Sequence, residues 1–176
     1  HFLFNTLNNL FVLARKKSDR TADAIMMLSK IMRFVLYDCR TPRIPVAEEA
    51  KIIQDYIELE KLRYNDRLRV QYEENIVAPG GSIAPLLLLP FVENSFKHGA
   101  TSTTGKADIA VRLHVENNLL EFEVRNTVEG EERPPNPEGI GLKNVKRQLD
   151  LIYPGRYDLV VGREGGIFRA HLNVRL

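Results

Sequence analysis

The chain has 176 residues, 44% of them apolar, with 25 basic and 23 acidic side chains and a net charge of +2. That is an ordinary globular balance with enough residues for one full core, and it gives no whole-chain basic excess of the kind that nucleic-acid binding requires. A single cysteine, Cys39, excludes an internal disulfide framework and a multi-cysteine zinc site, and fits a reducing, cytoplasmic setting. No apolar run approaches the roughly 18 residues of a membrane span; the longest, IAPLLLLPFV, is short and holds two prolines. The first residue is His rather than Met, which reads as the interior of a longer protein.

Residues 1–17 carry Leu3, Leu7, Leu10 and Ala14 on one stripe of a 3.6-residue period, predicting a helix. KKSDR breaks the pattern, and Ser18 or Asp19 is the expected cap of a second helix running to about Tyr37. Its stripe is Ala24, Leu28, Ile31 or Met32, Val35 and Cys39. Two such helices joined by so short a turn form an antiparallel hairpin. The hairpin is too small to bury both stripes alone, so it is expected to pair with a second copy. RTPRIP, residues 40–45, is the expected boundary between a unit at 1–45 and a unit at 46–176. VAEEAKIIQDYIELEKLRY reads as a third helix, acidic early and basic late, as the helix dipole favours. LRVQYEEN alternates as a strand, and APGG is a turn.

SIAPLLLLPFVENSFKHG reads as a buried helix starting near Pro85 and stopping at Gly99. ADIAVRLHVE and LLEFEVRN alternate and meet at Asn117-Asn118, a hairpin turn. Residues 127–139 hold three prolines, four glutamates and two glycines, and read as a mobile loop. IGLKNVKRQLDLIY is a helix with Leu142, Val145, Leu149 and Ile152 on one face. YDLVVGR and IFRAHLNVRL form a last hairpin around Glu164-Gly165-Gly166. The order predicts an α+β protein: a two-layer α/β sandwich, a mixed sheet with helices on one face, preceded by a helical hairpin.

Three features carry chemistry. FVENSFKHGA puts Glu93, Asn94, Lys97 and His98 at the end of an apolar helix, with Asn94 and Lys97 three apart on one face. A carboxamide oxygen can ligate Mg²⁺, and an ammonium can neutralise phosphate oxygens; the plain alternative is a charged helix end facing water. GIGLKN, which brings Gly139, Gly141, Leu142 and Asn144 to the start of a helix, suits backbone N–H contacts to phosphate, although a Gly-x-Gly pair is more often a turn. His1 with Asn5 one turn later is the third; a lone histidine on a helix is usually an ordinary side chain.

Taken in order, HFLFNTLN, EKLRY, PFVENSFKHG and GIGLKNV closely resemble the LytS-type sensor histidine kinases of bacterial two-component systems, over essentially the whole chain. The resemblance implies that His1 is the phospho-acceptor and that the fold of 46–176 is the Bergerat-type sandwich shared with gyrase and Hsp90-like ATPases. It implies ATP and Mg²⁺ as cofactors, with Asn94 holding the metal, Lys97 and His98 on the phosphate chain, and Asn126 at the adenine-reading position. Residues 127–138 match the ATP lid, with Gly139 and Gly141 as its glycine hinge and Leu142 and Asn144 beside them. It also implies autophosphorylation, transfer to an aspartate of a response regulator of the LytTR type, dimerisation through residues 1–45, and an inner-membrane anchor upstream of a cytoplasmic portion.

The sequence departs from that family in three places. Asn126 stands where the family has Asp and Val128 where it has Gly, so the adenine amino group meets a neutral acceptor that also brings its own donor. Gly166-Ile167 replaces Gly-Thr. These departures set a second reading, an inactive pseudokinase acting as a dimerisation and interaction module. A third reading, an ATPase or serine kinase on the same fold, is opposed by Pro90, which occupies the position of the ATPase general base and cannot activate water. Phe2 follows His1, so no acid lies next to the acceptor; Asn5 is the expected orienter of its ring or of a water.

Overall fold

The computed structural model describes residues 2–37, 41–64, 67–77, 80–100, 107–128 and 140–176. Helix α1, Phe2–Arg15, and helix α2, Thr21–Tyr37, form the hairpin. Ser18 serves its turn: the Ser18 hydroxyl accepts from the Arg20 N–H at 3.3 Å, and the Thr21 hydroxyl donates to the Ser18 carbonyl at 2.7 Å. The buried stripe of α2 is Ala24, Leu28, Ile31 and Phe34. Phe34, 4% exposed, takes the place expected for Val35, which is 39% exposed; Cys39 lies outside the described residues.

Strand β1, Ile44–Pro45, leads into α3, Val46–Tyr64, and then into β2, Leu68–Ile76. Strand β3, Ser82–Ile83, pairs antiparallel with β1, Ile44 against Ile83. Helix α4, Leu89–Ser95, runs into a π-helical turn, Phe96–Ala100. Strands β4, Ala107–Glu116, and β5, Leu119–Thr127, form the expected hairpin, with Asn117 and Asn118 both at positive φ. Helix α5, Ile140–Ile152, and the hairpin of β6, Tyr157–Glu164, with β7, Ile167–Arg175, complete the chain.

The five-stranded sheet has the order β2-β4-β5-β7-β6; β2 and β4 are parallel and the other pairs antiparallel. Alternation sends Ile109, Val111, Leu113 and Val115 of β4 and Leu120, Phe122 and Val124 of β5 to one face, where all are buried. Helices α3, α4 and α5 cover that face, and the edge of Phe91 meets Phe122 at 6.0 Å. The other face is a ladder of charge: Arg112 pairs Glu73 at 2.8 Å, and Glu123 holds both Arg125 and Arg169. The mixed two-layer sandwich read from the sequence is therefore the one observed. Leu10 and the α2 stripe join the same apolar cluster, since the hairpin lies against α3.

Helix α4 starts four residues later than the sequence predicts. Leu86 sits at φ +56°, a left-handed conformation that a continuing helix does not permit. The N–H groups at the start of α4 are served from α3 instead: Glu49, fully buried, accepts from Leu86 at 2.8 Å, Leu88 at 3.0 Å and Leu89 at 3.4 Å. The Leu88 N-cap contributes no side-chain bond of its own. Burial pushes the Glu49 carboxyl up, and those backbone amides pull against it.

Candidate nucleotide site

Strand β5 and the end of α4 build the site. Asn126 has the parity of Leu120, Phe122 and Val124, so its side chain enters the helix layer at the strand's last inward position, where it is 1% exposed. Its Nδ2 donates to the Thr127 carbonyl at 3.0 Å, so the donor that Asn brings in place of Asp has a partner within the strand. Its Oδ1 is buried and has no hydrogen-bond partner among the described residues. An unpaired buried acceptor costs of the order of 1–3 kcal/mol, so this atom suits an incoming N–H donor.

Gly99 of the π-helical turn closes over that amide. A Cβ at position 99 would lie 3.0 Å from the Asn126 Cβ and 3.1 Å from its Nδ2. The glycine lets the turn carrying Lys97 and His98 pack directly on the Asn126 side chain, at its Cβ and Nδ2. The sequence shows Gly99 only as a helix stop; this packing role comes from a strand 27 residues away in the chain, and no local signal announces it.

Asn94 lies in the last turn of α4 and is half-buried, while Lys97 and His98 are exposed. The winding widens from Phe96 onward, so Asn94 and Lys97 are not related by the α-helical three-residue step that the sequence predicts. Burial, then the Lys97 charge, lowers the His98 pKa and favours a neutral ring. Glu93 is half-buried, and burial pushes its carboxyl up. At the start of α5, Gly141 and Asn144 are exposed and Leu142 is buried in the core. Nothing lies within 4 Å of a Cβ placed on Gly141, so packing in the described structure does not demand its glycine. Helices α4 and α5 pack side by side, which brings the two predicted segments into one neighbourhood.

The departures from the family pattern also come together. The Val128 N–H donates to the Gly166 carbonyl at 2.8 Å, and Thr127 is the register partner of Ile167. Both altered motifs therefore stand at the Asn126 end of the sheet. Asn5 is half-buried on α1. Leu3, two residues earlier, lines a cleft of about 350 Å³ with Ile31, Met32, Leu86, Pro90 and Glu93, which puts the start of α1 beside α4. His1 and Gly139 lie outside the described residues, as does the loop at 129–139. Clefts of about 420 and 710 Å³ occur on the charged face of the sheet and contain none of the predicted residues; their walls are the solvated ion-pair ladder.

A helical hairpin joined to a mixed sheet with three helices on one face is the architecture of histidine kinase catalytic regions. The histidine kinase domain of the blue-light activated kinase EL346 from Erythrobacter litoralis superposes with a TM-score of 0.58 at 14% identity, over 90% of this chain and 75% of that one. The catalytic domain of the histidine kinase ThkA superposes at 0.51 and 12% identity, over 76% of this chain and 93% of that one. Residues 1–68 match the model of the family described as Histidine kinase. Sensor histidine kinase YpdA of Escherichia coli is 32% identical over 168 residues, covering 87% of this chain. Sensor protein LytS of Staphylococcus saprophyticus is 26% identical over 165 residues, again 87% of this chain. The chain is thus similar to sensor histidine kinases, LytS-type ones among them. It spans 28% of the length of each of these two relatives.

Proposed function

We propose that the chain is the catalytic portion of a two-component sensor kinase, which phosphorylates His1 from Mg-ATP and passes the phosphoryl group to an aspartate of a response regulator. The observation that carries this reading is the buried, unpaired Asn126 Oδ1 beneath Gly99, in a helix end that also presents Asn94 and Lys97. An adenine amino group is the donor that such an acceptor would take, and Nδ2 is already satisfied, so the neutral amide fits that role. The Asn94 carboxamide oxygen would hold Mg²⁺, which prefers a few protein oxygens together with phosphates. When bound, Mg²⁺ neutralises charge on the transferring phosphoryl group.

Among the chain's own groups, the Lys97 ammonium places positive charge beside the phosphates, and His98, held neutral, can donate or accept one hydrogen bond there. The free N–H groups at the start of α5, at Gly141 and Leu142, face the same anion, with Gly139 before them and the Asn144 side chain one turn on. The acceptor imidazole attacks as the neutral base, its ordinary pKa near 6.5 leaving it so at cytoplasmic pH. Asn5, one turn on, orients it. Residues 1–45 form the dimerising acceptor unit and 46–176 the nucleotide-binding unit. The partner regulator is of the LytTR type, and the intact protein is anchored in the inner membrane by segments other than these; no helix among the described residues is long and apolar enough to cross a membrane.

A second reading rests on Val128 and Ile167, whose side chains stand at the Asn126 end of the sheet in place of a glycine and a threonine: a pseudokinase that dimerises and binds partners. Incubation of the chain with Mg-ATP labelled at the γ-phosphate separates the two. The kinase reading expects acid-labile, alkali-stable phosphate that is lost in both His1→Gln and Asn94→Ala. Absence of label, with binding of nucleotide also absent, would establish the pseudokinase.

A further inference from the structure

The connection that precedes α4 is held at two points, and neither belongs to α4. Glu49 of α3 holds Leu86 and Leu88 at the connection's end, and Leu89, the first residue of α4. The residue just beyond α5, Tyr153, holds the connection's start. Tyr153 is fully buried, and its hydroxyl oxygen accepts from the Ala84 N–H at 2.9 Å. The Tyr153 ring has the Arg43 guanidinium 5.2 Å from its centroid and the Arg156 guanidinium 5.4 Å from it. Arg43 lies in the connection between α2 and α3, and it also donates to the Ser82 carbonyl at 3.2 Å. Ser82 and Ile83 pair with Pro45 and Ile44 of that same connection.

Three parts of the fold therefore meet at one side chain: the link from the hairpin, the end of α5 and the root of α4. Helix α4 carries Asn94 and α5 begins at the Gly141 segment, so these two helices are the walls of the proposed nucleotide site. The Tyr153 joint ties the end of α5 to the connection that leads into α4, about 20 Å along the thirteen-residue α5 from its start. Asn126 sits on β5 and does not depend on that joint.

We propose that Tyr153 is a positioning residue for the nucleotide site, its hydroxyl tying the end of α5 to Ala84 at the start of the connection into α4, while Arg43 on its ring carries the position of the α2–α3 connection to the joint. The inference rests on the nucleotide reading above. Tyr153→Phe keeps the ring and both guanidinium contacts and leaves only the Ala84 N–H without its acceptor. Two ligands separate positioning from general loosening: Mg-ADP spans adenine acceptor and phosphate walls, whereas adenosine engages the adenine acceptor without reaching Asn94 through a phosphate.

The test is calorimetric titration of the whole chain with each ligand, together with hydrogen exchange at Ala84, Leu88 and Leu89. Tyr153→Phe is expected to speed exchange at Ala84 and to weaken Mg-ADP about three- to tenfold, the factor of one lost hydrogen bond, with adenosine affinity unchanged. Arg43→Ala, at an exposed position that leaves the core intact, is expected to act in the same direction and more weakly, and serves if the phenylalanine variant does not fold. Equal weakening of both ligands, or wild-type affinity for both in the two variants, would overturn the proposal. A wild-type chain that binds neither ligand would instead remove the nucleotide reading itself, a result distinguishable because it precedes any substitution.

Discussion

The hairpin and the sandwich solve the burial of apolar surface differently. In the sandwich, α3 buries Ile52, Ile53, Tyr56, Ile57 and Leu59, and the inward positions of β4 and β5 are closed to solvent. The hairpin buries one stripe against α3 and leaves a second in water: Phe4 is 74% exposed, Phe11 62% and Met26 59%, with Leu7, Ile25, Leu36 and Tyr37 also open. A contiguous apolar surface on a helical pair is what a bundle of four helices covers with a second copy. The contrast teaches that the fold of the sandwich is a property of one chain, whereas the hairpin leaves an apolar outer face that its own chain does not cover.

Breaking the sandwich should have the largest effect. Phe122 is 1% exposed and meets Phe91 edge-on, so Phe122→Ala is expected to cost about 3–5 kcal/mol in urea unfolding. A loss below about 1 kcal/mol would mean that the sheet's inner face is not the core. On the hairpin side, Phe11→Asp together with Met26→Asp should convert a dimer to a monomer in sedimentation, with helical content kept and monomer stability within about 0.5 kcal/mol per site. Persistence of the dimer would place the association surface elsewhere.

The charged face of the sheet offers a smaller, pH-resolved test. Burial alone would raise the Glu123 pKa, but the Arg125 and Arg169 hydrogen bonds and charges outweigh it and hold the carboxyl below its ordinary value. Its contribution is therefore present above the unfolded-state pKa and lost as pH falls through the folded one. Glu123→Gln should cost about 1–3 kcal/mol at pH 7, and the deficit should vanish in acid below the ordinary carboxylate range; a deficit constant with pH would contradict the ion-pair account. The smallest effect belongs to His98. Its pKa is lowered in the fold, so the unfolded chain binds the proton first and stability declines as pH drops below about 6.5. His98→Asn should flatten that slope slightly, and an unchanged slope would assign it to another group.

Much of the architecture is legible as local periodicity. Helix α3, strand β2 and both late hairpins fall where alternation and helical spacing place them, because one face of each is turned to the core, fully buried in β4 and β5 and half-buried in β2 and β6, and the other is not. Helix α4 is not legible in this way. Its start is decided by Glu49, 37 to 40 residues upstream of the amides it holds, and by a left-handed Leu86. The short strands β1 and β3 have no period to read. At the site, Asn94, Lys97, His98 and Asn126 are visible as motifs, whereas the packing of Gly99 on Asn126 exists only once strand and turn are brought together. Tyr153 reads as one more apolar residue on α5, and only the fold shows its hydroxyl at work.

The account turns on whether the Asn94–Asn126 end of the sandwich takes a nucleotide. The direct measurement is thermal unfolding of the chain with and without Mg-ADP, repeated in Asn94→Ala. At a hundredfold excess over the dissociation constant, a bound ligand adds about 2.7 kcal/mol, several degrees in midpoint for a chain of this size. The account predicts a shift that requires magnesium and is lost in Asn94→Ala. A midpoint unmoved at millimolar Mg-ADP, or a shift that Asn94→Ala leaves intact, would contradict it.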